Sequence, residues 1–310
     1  MKLEILRNIP KEPSAKNPVF WKQGEFFLKD QSRVATMTDV KFINNNTLVA
    51  CHRAAAEVFL IKIINNTFEM IDSMILDKEP HKYLYGDAFH PDLMSYHNGM
   101  IYLSEYGPTY CVLTVDEDKL IYVAAHKANN VNIQYHGILA NDQGLYLGGC
   151  NPAIITYTGN NKPSIHLVSS KNYINERVKT INLYNNLFIV CFDIWISKGK
   201  YKEMDTRIRM LKQDGNNNLD IIDESVYIKD SQPDGAVIYK DYFLCTRHCA
   251  IKRCGVISIY KIHSNKLELI KEIECENFPH GIDINENKIV YTSYAKSAIF
   301  MIDFPDLTAM

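Results

Sequence analysis

A short pattern that recurs six times along this chain of 310 residues limits the folds open to it. Each copy has a polar residue, a half-apolar stretch, a turn of Asn, Asp, Gly or Lys, and then three apolar residues. The apolar triplets begin at Leu48, Ile101, Leu145, Phe188, Tyr242 and Ile289. A period of roughly 40–55 residues with several short strands per copy is typical of β-propellers, whose blades surround a central channel. The sequence therefore predicts an all-β, six-bladed propeller.

The length of the apolar runs supports strands throughout the chain. The runs are about five to eight residues long and rich in Val, Ile, Tyr and Phe, which favours strands over helices. We expect a single domain over residues 1–310, with blades that begin at about residues 39, 92, 136, 179, 234 and 280. The sixth copy lacks one strand. Residues 2–9, KLEILRNI, are apolar at alternate positions and are predicted to complete the last blade and close the ring.

The composition excludes several classes of protein. A net charge of −2 gives no electrostatic reason to expect binding to nucleic acid or to an anionic membrane. The chain contains no apolar run long enough to cross a bilayer. Its first residues lack the long apolar stretch of a signal peptide. With no export signal, we expect a cytoplasmic protein whose eight cysteines are free thiols.

The polar residues that open each copy predict where a site lies. Nine positions before the triplets stand Asp39, Asp92, His136, Lys179, Pro233 and His280, and Asp234 follows Pro233. Radial repetition would bring these positions together at one mouth of the channel. The second strand of each blade returns to the same end, which adds the candidates His52, Arg53, Glu105, Asp193, Arg247 and Tyr294.

Acids and imidazoles that share a channel entrance suit acid–base chemistry, because neighbouring titratable groups shift one another's pKa values. We therefore take Asp39, His136, Asp234 and His280 as candidate catalytic residues, and the second set as candidate substrate-binding residues. The simpler alternative is that these positions are polar because they cap strands beside a solvent-filled channel. Both explanations stay open at this point.

A divalent metal is a further alternative for the same mouth. Asp39, His136, Asp234 and His280 would supply a mixed nitrogen and oxygen ligand set. Imidazole ligands favour zinc or iron, whereas oxygen ligands favour calcium. The chain has no local motif such as His-Glu-x-x-His, so the ligands would come from different blades.

Three of the blade starts resemble a known superfamily. QPDGAVI (232–238), PHGIDI (279–284) and YHGILAND (135–142) are similar to blade starts of the sugar-lactonase (gluconolactonase and senescence-marker) and NHL-repeat propellers. The resemblance implies that Asp234, in the PDG motif, helps to hold a divalent metal and acts in ring opening. Asp39 would replace the glutamate of the family's first blade. Where the family has an asparagine, this chain offers Lys179 or the pair His136-Gly137.

Two functions of different classes follow from these observations. The first is a soluble enzyme that acts on a small polar molecule, most simply a lactonase-like or esterase-like hydrolase. A carboxylate or imidazole would be its general base, and Arg53, Arg247 or a metal would stabilise the oxyanion. The alternative is a non-catalytic propeller that binds a protein or ligand through the same face. The charged loop at 197–205 favours this alternative, because blade loops often grow for partner contact.

Overall fold

The computed structural model describes eighteen stretches of the chain and contains strands but no helix within them. The described residues are 1–4, 7–8, 33–34, 37–53, 55–65, 67–76, 91–105, 109–127, 135–149, 153–159, 164–168, 175–198, 201–214, 219–249, 254–276, 278–294, 296–305 and 307. Across these stretches, nothing has the length and apolar character of a membrane-spanning helix.

The strands form six four-stranded antiparallel sheets and one two-stranded ribbon. The N-terminal strands are β1 (Lys2–Glu4), β2 (Arg7–Asn8) and β3 (Arg33–Val34). Blade one contains β4 (Met37–Asn44), β5 (Thr47–His52), β6 (Glu57–Ile64) and β7 (Thr67–Ile75). Blade two contains β8 (Pro91–His97), β9 (Met100–Glu105), β10 (Thr109–Asp116) and β11 (Lys119–Lys127). Blade three contains β12 (Gly137–Asn141), β13 (Gly144–Gly148), β14 (Ile154–Tyr157) and β15 (Ser164–Leu167).

The remaining blades have the same order along the chain. Blade four contains β16 (Glu176–Tyr184), β17 (Leu187–Lys198), β18 (Tyr201–Gln213) and β19 (Leu219–Ile228). Blade five contains β20 (Ser231–Tyr239), β21 (Tyr242–Cys249), β22 (Cys254–Ile262) and β23 (Leu267–Cys275). Blade six contains β24 (Pro279–Asn285), β25 (Lys288–Ser293) and β26 (Ala298–Asp303). The predicted fold is therefore confirmed: the chain is a six-bladed β-propeller.

Asparagines occupy several of the hairpin turns, in agreement with the turn residues of the repeat. Asn65, Asn98 and Asn185 have φ angles of 49°, 49° and 53°. Asn tolerates this left-handed conformation because its short side chain bonds to the nearby backbone. These turns let each strand return beside the preceding one.

The core lies between neighbouring blades. Every residue of β5 is buried, whereas the outer strand β7 is mostly exposed. Between blades one and two, Val49 and Leu60 pack with Leu103 and Leu113 in one buried cluster. Burial of such side chains stabilises the fold by roughly 1.5–3 kcal/mol each. A blade therefore depends on its two neighbours for its apolar contacts.

The first strands of the blades form a ring around the channel. They contact one another in the order β4, β8, β12, β16, β20, β24 and again β4. A cavity of about 190 Å³ lies between them, lined by polar side chains that include Lys41, Ser95, Asn182 and Asp283. Residues at the start of these six strands are consequently neighbours across the channel.

The N-terminal strand pairs with the last blade over a shorter range than the sequence predicts. In β1, Lys2–Glu4 pairs with Ala298–Phe300 of β26 and supplies the fourth strand of blade six. The prediction of one strand over residues 2–9 is too long. Arg7 and Asn8 pair instead with Val34 and Arg33 in the separate two-stranded ribbon.

Candidate functional site

β-Bulges aim the polar residues of the blade starts into the channel. The pairing register of the first strand skips Asp92, Lys179, Asp234 and His280. In blade one it skips Thr38, so Asp39 stays in the ladder opposite Cys51. A bulge leaves an extra residue outside the ladder and turns its side chain away from the ordinary alternation. His136 directly precedes β12, where its backbone N–H donates to the Gly148 carbonyl.

The side chains from these strands meet in a group that we call the mouth cluster: Arg53, Asp92, His136, Lys179, Asp234 and His280. Its links run between blades. Asp92 Oδ2 lies 2.7 Å from His136 Nδ1, and Lys179 Nζ lies 3.4 Å from Asp234 Oδ1. The Nε2 of His280 lies 3.8 Å from Asp92 Oδ1 and 3.7 Å from Asp234 Oδ1. The structure thus brings His136, Asp234, His280 and Arg53 together, as the sequence predicts.

Charge pairing inside the cluster keeps one carboxylate ionised. Burial opposes ionisation of Asp92, but the Lys179 ammonium, the hydrogen bond from His136 and the Arg53 guanidinium hold the pKa of Asp92 well below its usual value. The Arg53 Nη1 lies 3.8 Å from Asp92 Oδ1. Asp92 is therefore a buried anion at neutral pH.

His136 is held by hydrogen bonds at both ring nitrogens. Nδ1 donates to Asp92, and Nε2 accepts from Arg177 Nη1 at 3.3 Å. Arg177 is in turn anchored on both oxygens of Asp193 at 2.9 Å and lies over the Trp195 ring. Burial and Arg177 hold the pKa of His136 well below its usual value, so the ring is neutral. His136 therefore links Asp92 to the Arg177–Asp193 pair.

His280 is placed differently from His136. Its Nδ1 is buried and has no hydrogen-bond partner in the stretches of chain that the structure describes. Burial lowers the pKa of His280, which favours the neutral ring. Tyr294 stacks on it at 5.8 Å between ring centroids, and burial raises the pKa of the Tyr294 hydroxyl. His280 is thus a neutral imidazole between two carboxylates.

Asp39, a predicted catalytic residue, has both carboxylate oxygens bonded to backbone N–H groups. Its Oδ1 accepts from the Val40 N–H at 2.8 Å and its Oδ2 from the Met94 N–H at 2.6 Å. Lys41 Nζ lies 3.3 Å from Oδ1. Oδ2 therefore joins blade one to blade two, while Oδ1 caps a backbone N–H of its own strand, and both N–H groups would otherwise be buried without these acceptors.

Three predicted substrate-binding residues have structural contacts of their own. His52 Nδ1 accepts from the Ala55 N–H at 3.1 Å in a turn. Glu105 accepts a hydrogen bond from the Thr109 hydroxyl. Arg247 binds Ser258, Ser231 and Glu272 within blade five. Of the second predicted set, Arg53 belongs to the mouth cluster, Tyr294 stacks on its His280, and Asp193 is linked to it through Arg177.

The ligand set predicted for a divalent metal does not fit the observed contacts. Both oxygens of Asp39 and both ring nitrogens of His136 have partners. The Lys179 ammonium stands beside the third predicted ligand, Asp234, where it would repel a second cation. Within the described ranges, His, Cys, Asp and Glu form no group of three or more arranged to hold a metal ion. The predicted ligands Asp39, His136, Asp234 and His280 are therefore not assembled as a metal centre.

Two members of the mouth cluster are predicted at the channel mouth but not as catalytic residues. Asp92 and Lys179 occupy the same repeat position as His136, but only His136 is among the predicted catalytic residues. Arg177 lies outside the repeat position and is indicated instead by strand pairing, because it stands directly opposite Asp193 in the pairing of β16 with β17. Pairing the strands of each hairpin, in addition to counting along one strand, would have identified it.

Comparison with known proteins adds evidence on the fold. No protein-family model and no curated protein sequence matches this chain. Among solved structures, a candidate 6-phosphogluconolactonase from Bacteroides uniformis superposes with a TM-score of 0.54 at 9% identity, covering 89% of this chain and 82% of that one. Streptogramin B lyase gives a TM-score of 0.51 at 11% identity, with 86% and 93% covered.

A chain of the mitotic checkpoint complex also superposes, with a TM-score of 0.53 at 10% identity, covering 88% of this chain and 77% of that one. At such low identities these likenesses establish the fold alone. The chain thus shares its β-propeller architecture with lactonase-like propellers and with propellers of other kinds.

Proposed function

We propose that this propeller is an enzyme that hydrolyses a lactone or ester of a small polar molecule at the mouth cluster. The observation that carries the proposal is His280, a buried imidazole with one ring nitrogen lacking a hydrogen-bond partner among the described residues and the other facing two carboxylates. An imidazole kept neutral by burial is in the protonation state that a general base needs.

In the proposed reaction, His280 accepts a proton from a water molecule as the water oxygen attacks the carbonyl carbon. The carbonyl C=O electrons move to its oxygen, which becomes an oxyanion. The Lys179 ammonium and the Arg53 guanidinium are the nearby cations that stabilise this charge. When the oxyanion collapses, the ester C–O bond breaks and His280 returns the proton to the leaving oxygen.

The other members of the cluster support His280. Asp234 and Asp92 flank its Nε2 and favour the imidazolium that forms during the reaction. His136 fixes Asp92 through a 2.7 Å hydrogen bond. Arg177 and Asp193 fix His136 in turn, so these three residues act on the reaction through position.

The experiment that tests this proposal is a hydrolysis assay with a panel of lactones and esters of small hydroxy acids. Substitution His280→Gln should lower kcat/KM by about 10²- to 10⁴-fold, the usual contribution of a general base. His263→Gln is the matched control, because His263 also faces a carboxylate, Glu268 at 2.9 Å, on the exposed side of blade five. Equal activity of the two variants would contradict the role of His280.

A second candidate is a propeller that binds a partner without turnover. Large apolar side chains are exposed on outer strands, such as Ile75 of β7, Leu167 of β15 and Leu269 of β23, each more than half exposed. They lie away from the mouth cluster. A wild-type protein that hydrolyses no member of the panel would favour this second function.

A further inference from the structure

We propose that the mouth cluster is a metal-independent site for a small oxyanion, which Lys179 binds together with Arg53. The inference rests on the proposed function only for the location of the site and does not require turnover. It names the chemistry of the ligand: a carboxylate or a phosphate group with oxygens that accept hydrogen bonds from the ammonium and the guanidinium.

Lys179 is a buried cation that stands outside the strand ladder of its blade. The bulge between Val178 and Thr180 takes Lys179 out of the β16 ladder, and its side chain is about 4% exposed. Its charge acts on Asp92, His136 and His280, which belong to three other blades. A buried lysine whose charge acts on groups of several blades is a fixed positive centre within the mouth cluster.

The charged groups of the mouth cluster are farther apart than directly hydrogen-bonded groups. The separations are 3.4–3.8 Å for Lys179 to Asp234, for Arg53 to Asp92 and for His280 to each of its two carboxylates. These separations exceed ordinary hydrogen bonds, which are about 2.7–3.2 Å. The groups therefore neutralise one another across separations that are longer than direct hydrogen bonds.

Two buried polar atoms of the mouth cluster indicate that it binds a ligand. Asp92 Oδ1 and His280 Nδ1 have no hydrogen-bond partner within the described stretches. Buried polar atoms of native proteins are nearly always bonded to protein, water or ligand. A bound oxyanion with its water or its own hydroxyl would bridge the cations and give these two atoms partners.

The charges of the mouth cluster and of the neighbouring Arg177–Asp193 pair balance one another. Asp92 and Asp234 balance Lys179 and Arg53, while Arg177 and Asp193 balance each other. With both histidines neutral, the cluster has no excess negative charge to attract a divalent cation. Its strongest donors are an ammonium and a guanidinium, the groups that proteins use for carboxylate and phosphate.

The test is an anion titration of the full chain after treatment with a chelator and dialysis, with metal content checked by elemental analysis. Isothermal titration calorimetry with inorganic phosphate and, separately, with lactate distinguishes the two anion classes. We expect the metal-free protein to bind at least one of them. Substitution Lys179→Met should weaken binding at least tenfold, and Lys179→Arg should restore most of it.

Lys41→Met is the matched control, because Lys41 also faces a carboxylate in the channel, Asp39 at 3.3 Å, but lies outside the mouth cluster. Its anion affinity should stay within about twofold of wild type. Thermal unfolding of each variant, followed by circular dichroism, identifies a loss of binding that comes from misfolding. Lys179→Arg then decides the outcome if Lys179→Met does not fold.

Three results would overturn the inference: neither anion binds the wild type, Lys179→Met binds as well as wild type, or binding appears only when calcium or zinc is added. Anion binding that depends on Lys179, without hydrolysis of any lactone or ester, would support the inference and contradict the proposed function. Hydrolysis of a lactone or ester, together with anion binding that does not depend on Lys179, would contradict the inference and support the proposed function.

Discussion

At the scale of single residues, Glu105 shows how burial changes a carboxyl group that lies at the end of an inner hairpin. Its side chain is 2% exposed and accepts a hydrogen bond from Thr109. Burial raises its pKa from 4.5 to about 7. Between these two values the folded protein holds the proton more tightly than the unfolded chain does, so the stability contributed by Glu105 falls as the pH rises.

The substitution Glu105→Gln should therefore stabilise the protein at high pH. The amide keeps an acceptor for Thr109 and cannot ionise. The free energy of unfolding should exceed that of wild type by roughly 1–3 kcal/mol at pH 8, and the two proteins should be nearly equal at pH 5. Urea unfolding at both pH values measures the difference.

Glu268→Gln is the control for this prediction, because Glu268 is about half exposed and pairs with His263 at the surface. The difference in the free energy of unfolding between this variant and wild type should change little from pH 5 to pH 8. If Glu105→Gln and wild type lose stability in parallel from pH 5 to pH 8, burial of Glu105 is not the cause.

At the scale of strands, two glycines let neighbouring first strands approach closely. A Cβ on Gly281 would clash with the Asp39 backbone and carboxylate, and one on Gly235 would clash with the His280 carbonyl. Gly137 has more room, since its nearest neighbours would lie 3.2 Å away. These glycines follow the polar residues of the PDG, PHG and YHG starts. In the first two motifs the glycine is therefore required by packing between blades.

Alanine substitutions at the three glycines should form a graded series. Gly281→Ala and Gly235→Ala should each lower the free energy of unfolding by about 2 kcal/mol or more, because the clashing atoms are backbone. Gly137→Ala should cost less than about 1 kcal/mol, since its neighbours need to move by only a few tenths of an ångström. Urea unfolding measures the series, and equal losses at all three positions would contradict a packing origin.

The repeat pattern predicts the blades, and it also predicts that polar residues of several blades meet at one mouth of the channel. An apolar triplet marks the buried second strand of each blade, and a fixed distance along one hairpin places Asp234, His136 and His280 at a common mouth. The pattern could not show which carboxylates are free of backbone hydrogen bonds and can therefore contact other side chains at the mouth. Asp39 holds the same repeat position, yet its oxygens are used by N–H groups of Val40 and Met94. Whether a carboxylate is used in this way depends on contacts between blades. The spacing of residues along one strand gives no information about those contacts.

At the scale of the whole molecule, the propeller is completed by chain segments that are far apart in sequence. Met1 and Met301 exchange backbone hydrogen bonds in both directions, at 3.0 and 2.9 Å. In an antiparallel pair such residues alternate with pairs whose N–H groups point away from the partner. Leu3, opposite Ile299, is therefore a bonding position, and Lys2, opposite Phe300, is a non-bonding one.

Proline substitutions at these two adjacent positions test whether β1 stabilises the ring. Leu3→Pro removes an N–H that should bond to β26, so it should lower the free energy of unfolding by about 1 kcal/mol and expose the edge of β26 to self-association. Lys2→Pro removes an N–H that points outward and should change stability much less. Urea unfolding and light scattering follow the two effects. Equal behaviour of the two variants would mean that β1 contributes little to the closed ring, whose stability would then come from the contacts between the first strands of blades one and six.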